Sequence, residues 1–125
     1  MPYAAVREQQ LWYEDIGEGD ALVMLHGFTG TARFDLGAQI DTFSRFYRVI
    51  APDLRGYGRS MPKPRPFGPD FYVQDALDTG ALLDSLGIDR AHVLGYSDGA
   101  ESAVLAAIER PDRVRSVVAW GLTGV

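Results

Sequence analysis

The chain has 125 residues, 46% of them hydrophobic and 23% charged, the balance of one folded domain rather than of a disordered segment or two domains. Lys and Arg number 12 against 17 Asp and Glu, a net charge of −5, which argues against nucleic acid or an anionic membrane as a partner because no cationic excess exists. With no cysteine there is no disulfide framework, thiolate metal site or cysteine nucleophile, and the composition suits a reducing cytoplasm.

From the N-terminus, Met1 to Gln10 lacks the basic and apolar regions of a signal peptide, and no apolar run approaches the roughly 20 residues that span a bilayer. Tyr3 to Val6 and Leu11 to Glu14 read as opening strands, plausibly an antiparallel pair, followed by an acidic turn over residues 14–20. Leu22–Leu25, Val49–Ala51, Val93–Leu94 and Val117–Trp120 are short apolar runs, the pattern of strands buried on both faces of a parallel sheet. Between them lie three segments of helical length, about Ala32 to Arg45, Asp70 to Leu86 and Asp98 to Arg110. In the second, Tyr72, Ala76, Gly80 and Leu83 share a face, Asp70 is placed to cap the start and Gly87 to stop the end. The third ends at Pro111. Met61 to Pro69 carries four prolines and reads as a loop inside the domain. Repeated strand–helix–strand units predict an α/β fold, a mostly parallel sheet with right-handed crossovers and helices on both faces, in a single domain over 1–125.

The strongest chemical signal is Gly95-Tyr96-Ser97-Asp98-Gly99, placed between a strand and a helix. A G-x-S-x-G run in that context forms a nucleophile elbow: glycines let the backbone pass closely, the serine Oγ projects above the sheet, and the helix N-terminus favours developing negative charge. Ser97 is therefore the candidate nucleophile. The second signal, His26-Gly27-Phe28-Thr29-Gly30, follows the strand Leu22–Leu25. Its turn can aim the Phe28 N–H at a carbonyl oxygen, and with the Asp98 N–H it would make an oxyanion hole. His26 reads as a brace for that turn rather than as a base. The third, Asp53-Leu54-Arg55-Gly56-Tyr57-Gly58-Arg59-Ser60, reads as scaffold at the site's edge, with Asp53 and Arg55 placed to bridge the loop. Its glycine spacing matches neither phosphate-binding motif. Phe28, Tyr96 and Trp120 are candidate pocket walls, although core packing is the commoner fate of such aromatics. Asp53, Asp70 and Asp98 lie in different loops, and the two histidines are far apart, so no metal site is expected.

The HGFTG turn, the DLRGYGRS loop and the GYSDGA elbow, in that order and spacing, resemble the α/β-hydrolase superfamily over essentially the whole chain. Residues 51–58, Asp70-Phe71-Tyr72, the elbow, and Val118-Ala119-Trp120-Gly121 further resemble its biphenyl-hydrolase-like (valacyclovir hydrolase) branch. The resemblance implies ester hydrolysis through an acyl-enzyme on Ser97, with no cofactor and a small-molecule ester as substrate. It also implies that Asp98 recognises the α-amino group of amino-acid esters, with Tyr96 beside it. A carboxylate favoured at a helix N-terminus is the plainer reading of Asp98.

The superfamily places its acid and histidine after the nucleophile, and no residue here fills either role. His92 stands five positions before Ser97 on an extended strand, roughly 16 Å away at about 3.3 Å per residue. The expectation is the N-terminal portion of a hydrolase core that ends after its sixth strand. In that case Val114–Trp120 is an open apolar edge. Such a chain is completed by a complementary C-terminal fragment, or it self-associates as a homo-oligomer that acts as a binding or structural module with little catalysis.

Overall fold

The computed structural model describes residues 3–65, 68 and 70–122. Strand β3 (Ala21–Leu25) shows why the sheet is covered twice, since all five of its residues are buried. Val23 and Leu25 pack with Leu82, Leu83 and Ala103, while Leu22 and Met24 pack with Leu36 and Ile40. The first set faces α2 (Phe71–Ser85) and α3 (Asp98–Glu109); the second faces α1 (Ala32–Phe43). Helices on both faces are the reason for an uninterrupted apolar run.

The other strands are β1 (Tyr3–Val6), β2 (Gln9–Ile16), β4 (Arg48–Pro52), β5 (Ala91–Tyr96) and β6 (Val114–Trp120). The six-stranded sheet has the order β1-β2-β4-β3-β5-β6. The β1–β2 and β2–β4 pairs are antiparallel, and β4–β3, β3–β5 and β5–β6 are parallel. This is the α/β architecture anticipated from the alternating pattern. Helix α1 stops at Phe43, two residues earlier than its apolar spacing suggested, and Ser44 takes the C-cap position.

Asp70 does occupy the N-cap position of α2, but its carboxylate makes no capping bond. It accepts instead from the Gln74 side-chain amide at 2.8 Å. Gly87 adopts φ +68 and ends that helix, as a residue free of Cβ can. The loop that follows β4 is joined to β2 where Gln10 and Met61 exchange two backbone hydrogen bonds at 2.9 Å. Pro66 and Pro69 of the predicted proline loop lie outside the described residues.

Strand β6 is hydrogen-bonded in the sheet to β5 alone among the described strands. Val118 is 56% exposed and Trp120 38%. On the α1 side, a hollow of about 260 Å³ opens between Phe43, Tyr47, His92, Leu94 and Val118.

The proposed Asp53–Arg55 bridge does not form. Asp53 turns inward and accepts from the backbone N–H groups of Ala32 and Arg59, both at 3.0 Å. Arg55 reaches the other way and donates two 2.7 Å hydrogen bonds to Asp78 on α2. The reason is competition: a buried carboxylate between two unpaired backbone donors is already satisfied, and Asp78, itself buried, needs a cation. One turn before Asp78, Asp75 receives Arg65, whose guanidinium also lies 4.5 Å from the Tyr57 ring centroid and 5.4 Å from that of Phe71. Burial pushes the Asp75 carboxyl up to about 6 against the pull of Arg65. Two arginines thus bolt the loop after β4 onto α2.

Asp75→Ala leaves the Arg65 guanidinium buried without its carboxylate and should lower unfolding free energy by about 3–5 kcal/mol in urea titrations at pH 7. The Arg65→Met/Asp75→Leu double variant should recover most of that loss. A single variant as stable as the parent contradicts the bolt.

Candidate functional site

The elbow is built by steric exclusion. Ser97 joins β5 to α3 at φ 56, ψ −116, a region sparsely populated by residues with a side chain. A Cβ on Gly95 would fall inside the Gly99 carbonyl, and one on Gly99 would fall onto the carbonyls of Leu25 and His26. Strand β5 can therefore turn into α3 within one residue only because both neighbouring positions are glycine. The Ser97 N–H donates to the Trp120 carbonyl at 3.0 Å, which ties the elbow to β6. Ser97 is half-buried, and its Oγ has no hydrogen-bond partner among the described residues.

The turn after β3 lies directly against the elbow through Gly99. His26 is fully buried and commits both ring nitrogens: Nε2 accepts from the Leu54 N–H at 2.9 Å, so Nδ1 carries the proton and donates to the Gly27 carbonyl at 2.8 Å. Burial lowers its pKa from the ordinary histidine value. The ring fastens the β3 turn to the loop after β4, the bracing role anticipated for it. The Gly27 N–H donates to Asp35 Oδ2 at 2.8 Å, and Gly30 passes so close to that carboxylate that a Cβ would collide with it. Asp35 is thus a bracing residue that the sequence did not reveal, since an acid in the first turn of α1 needs no partner to be at home there.

Of the aromatic residues expected as pocket walls, the structure brings Tyr96 and Trp120 together. The Tyr96 ring lies over Gly27 and 5.7 Å from the Trp120 ring, and both side chains are more than a third exposed. Phe28, in the turn after β3, is 55% exposed. His92 lies apart, its Nδ1 2.7 Å from Ser116 Oγ on the α1 face of the sheet, so neither histidine attends Ser97.

Asp98, the first residue of α3, is also the first N–H of that helix and has no intrahelical acceptor by its position. Its carboxylate is asymmetric: Oδ1 accepts from the Tyr72 hydroxyl at 3.1 Å, and Oδ2 is buried with no partner among the described residues. Burial and the neighbouring Asp98 charge raise the Tyr72 phenol above its ordinary value. Tyr72 was anticipated as part of a helix face and of the branch-like Asp70-Phe71-Tyr72 stretch, without a role at the site. No sequence spacing links it to Asp98, 26 positions on.

A larger cavity, about 530 Å³, lies elsewhere, between Trp12, Glu14, Arg33 and Arg59. Its charges are engaged within the scaffold: Arg33 with Glu14 and Asp41, and Arg59 stacked 4.9 Å from the Trp12 ring centroid. Among the described residues no three His, Cys, Asp or Glu side chains converge as metal ligands, and no helix is long and apolar enough to cross a membrane.

Because the folded state holds His26 neutral, the unfolded chain binds its proton first as pH falls below the ordinary value of 6.5. Stability from this residue is present above that pH and declines as pH falls toward the lowered native pKa. Asp75 acts with the opposite sign, so the clean measure is the difference between parent and His26→Gln in denaturant titrations from pH 8 to 5. The variant should be less stable by about 1–3 kcal/mol at pH 8. The gap should narrow below pH 6.5, and parallel curves would contradict the neutral clamp.

Residues 20–122 match the family model described as alpha/beta hydrolase fold. The human serine hydrolase BPHL is 39% identical over 119 residues, which cover 94% of this chain and 41% of that protein. The mouse protein of the same name is 36% identical over the same share. Among solved structures, the meta-cleavage product hydrolase of Pseudomonas fluorescens IP01 superposes with a TM-score of 0.87 at 28% identity, over 98% of this chain and 45% of that one. The chain thus spans about two-fifths of the length of these relatives, and it corresponds to their N-terminal part. The chain belongs to the α/β-hydrolase fold family, and within it is similar to the branch of the BPHL serine hydrolases.

Proposed function

We propose that this chain is the nucleophile-bearing part of a cytoplasmic serine hydrolase that cleaves carboxylic esters. The observation that carries the reading is Ser97 at positive φ between two glycines whose close contacts leave no room for a side chain. Conformational strain at a serine on a sharp strand-to-helix turn is what an elbow nucleophile requires. In the proposed reaction Ser97 Oγ attacks the ester carbonyl, and the developing oxyanion is received by the N–H groups of Phe28 and Asp98. The alcohol leaves, an acyl-serine forms, and water then releases the acid. His26 is committed at both nitrogens and His92 lies on the α1 face, so the base and its orienting acid come from polypeptide corresponding to the remaining three-fifths of the relatives. The open β6 edge and the adjoining apolar hollow provide the surface on which that polypeptide packs.

Within this reading the substrate is an α-amino ester. The buried, unpartnered Oδ2 of Asp98 beside the nucleophile supports a cationic substituent next to the scissile carbonyl. Tyr96, Phe28 and Trp120 supply walls.

The same β6 edge favours a second reading, a half-size domain that associates with its own copies and binds rather than catalyses. Sedimentation showing a stable monomer counts against it.

Mixing the chain with a C-terminal hydrolase segment should restore cleavage of p-nitrophenyl esters, and Ser97→Ala should lower kcat of the mixture by at least about 10⁴-fold. No activity on mixing would sink the catalytic reading. Asp98→Ala should depress kcat/KM for amino esters at least about tenfold more than for simple esters. Equal losses reject the amine anchor.

A further inference from the structure

We infer that Tyr72 is the positioning residue that makes Asp98 selective for a primary ammonium group. The inference rests on the proposed reading of Asp98 as the amine anchor and concerns what gives that carboxylate its orientation.

An aspartate at the first position of a helix is ordinarily free to turn its carboxylate, because rotation about the terminal torsion is soft. Solvent and backbone donors then share both oxygens. Here the Tyr72 hydroxyl donates to Oδ1 at 3.1 Å, and Oδ2 is left buried without a donor among the described residues. A phenol has one proton to give, so it can engage one oxygen and never both. The result is one oxygen held by the protein and one held in reserve. A buried carboxylate oxygen without a donor is unfavourable, and a charge-assisted bond from a cation relieves it more fully than a neutral donor would.

The scaffold makes this arrangement stiff. Tyr72 is the second residue of α2, and its backbone carbonyl accepts from Ser102 Oγ at 3.3 Å, which ties the first turn of α2 to the first turns of α3. The Phe71 ring stands 4.1 Å from that of Tyr72. Charges near the phenol come from Asp98, Glu101 and Arg65. The guanidinium of Arg65 donates to Asp75 and to the Arg55 carbonyl. Asp98 thus presents two features to one ligand, a helix N-terminal N–H and a carboxylate oxygen.

The test uses the chain itself, followed by amide NMR at Asp98 and Gly99 near pH 6.5, where the ligand amine is protonated. The probes are phenylalanine methyl ester and methyl 3-phenylpropionate, which differ only in the amine. The parent should bind the amino ester at least about tenfold more tightly, the factor that corresponds to one charge-assisted hydrogen bond. Asp98→Asn should abolish the preference. Tyr72→Phe should reduce it to about threefold or less while affinity for the phenylpropionate ester is unchanged, a pattern that general loosening of the site would not produce. A full preference in Tyr72→Phe overturns the role of Tyr72 while Asp98 stands. No preference in the parent, or one that survives Asp98→Asn, overturns both. Should Tyr72→Phe fail to fold, the Tyr72 ring carbon bearing the hydroxyl reports in the parent. Its resonance should move with the amino ester and stay fixed with the other, and an unmoved resonance with the amino ester overturns the proposal.

Discussion

The elbow end of this molecule depends on one steric constraint, the contact of Gly99 with the carbonyls of Leu25 and His26. That contact brings the first turn of α3 against the end of β3, so the turn bearing Ser97 and the turn bearing Phe28 are held as one body. Any side chain at position 99 would separate them. The same closeness sets the backbone of Ser97 at positive φ, because β5 has a single residue in which to reverse into the helix. Strain at Ser97 and proximity of the two turns are therefore one fact seen from two sides. The strain persists because many neighbouring contacts over-determine it.

Around this contact the loops are secured by carboxylates facing inward. Asp53 gathers the N–H groups of Ala32 and Arg59, Asp35 holds that of Gly27, and Asp75 and Asp78 take the arginines of the loop after β4. Each replaces water for a buried donor that the sheet and helices cannot satisfy. A loop that ends two of the parallel strands has no regular partners for its backbone, so side chains must provide them. The acidic balance of the chain is in part this internal use of carboxylates, beside acids on the surface such as Asp41 and Asp84.

What was legible in the sequence was local. The alternation of apolar runs and helical stretches yielded the strands, and Ser97 was legible because its constraint falls on residues 95 and 99, within one turn of chain. Gly27 and His26 were legible for the same reason. The partners of these groups were not. Arg55 reaches Asp78 across 23 positions, Tyr72 reaches Asp98 across 26, and Asp35 reaches Gly27 across 8. Each of these contacts exists because a crossover lays one element beside another, and no periodicity records which acid a given arginine will meet. Asp70 shows the limit within a single turn: its position at the start of α2 was readable, yet Gln74 claimed the oxygen that a cap would use. Asp53 and Arg55 show it again, since nearness in sequence suggested a bridge that competing buried donors forbid.

The elbow is tied to the sheet's outer strand as well as to its centre. Ser97 donates its N–H to the carbonyl of Trp120, and Gly121, at φ +73, is placed so that a Cβ would lie 3.4 Å from that same nitrogen. Strand β6 therefore holds the backbone of Ser97 on one side, while its other edge has no strand upon it among the described residues, and Val118 and Trp120 are 56% and 38% exposed. A strand paired on one edge is free to twist and shift in ways that a strand paired on both is not. Whatever covers β6 then bears on Ser97 through its hydrogen bond to Trp120 and through the pairing of Tyr96 with that residue. Polypeptide packed on that face would do two things at once: bring groups toward Ser97 from outside, and stiffen the strand that sets the backbone of Ser97.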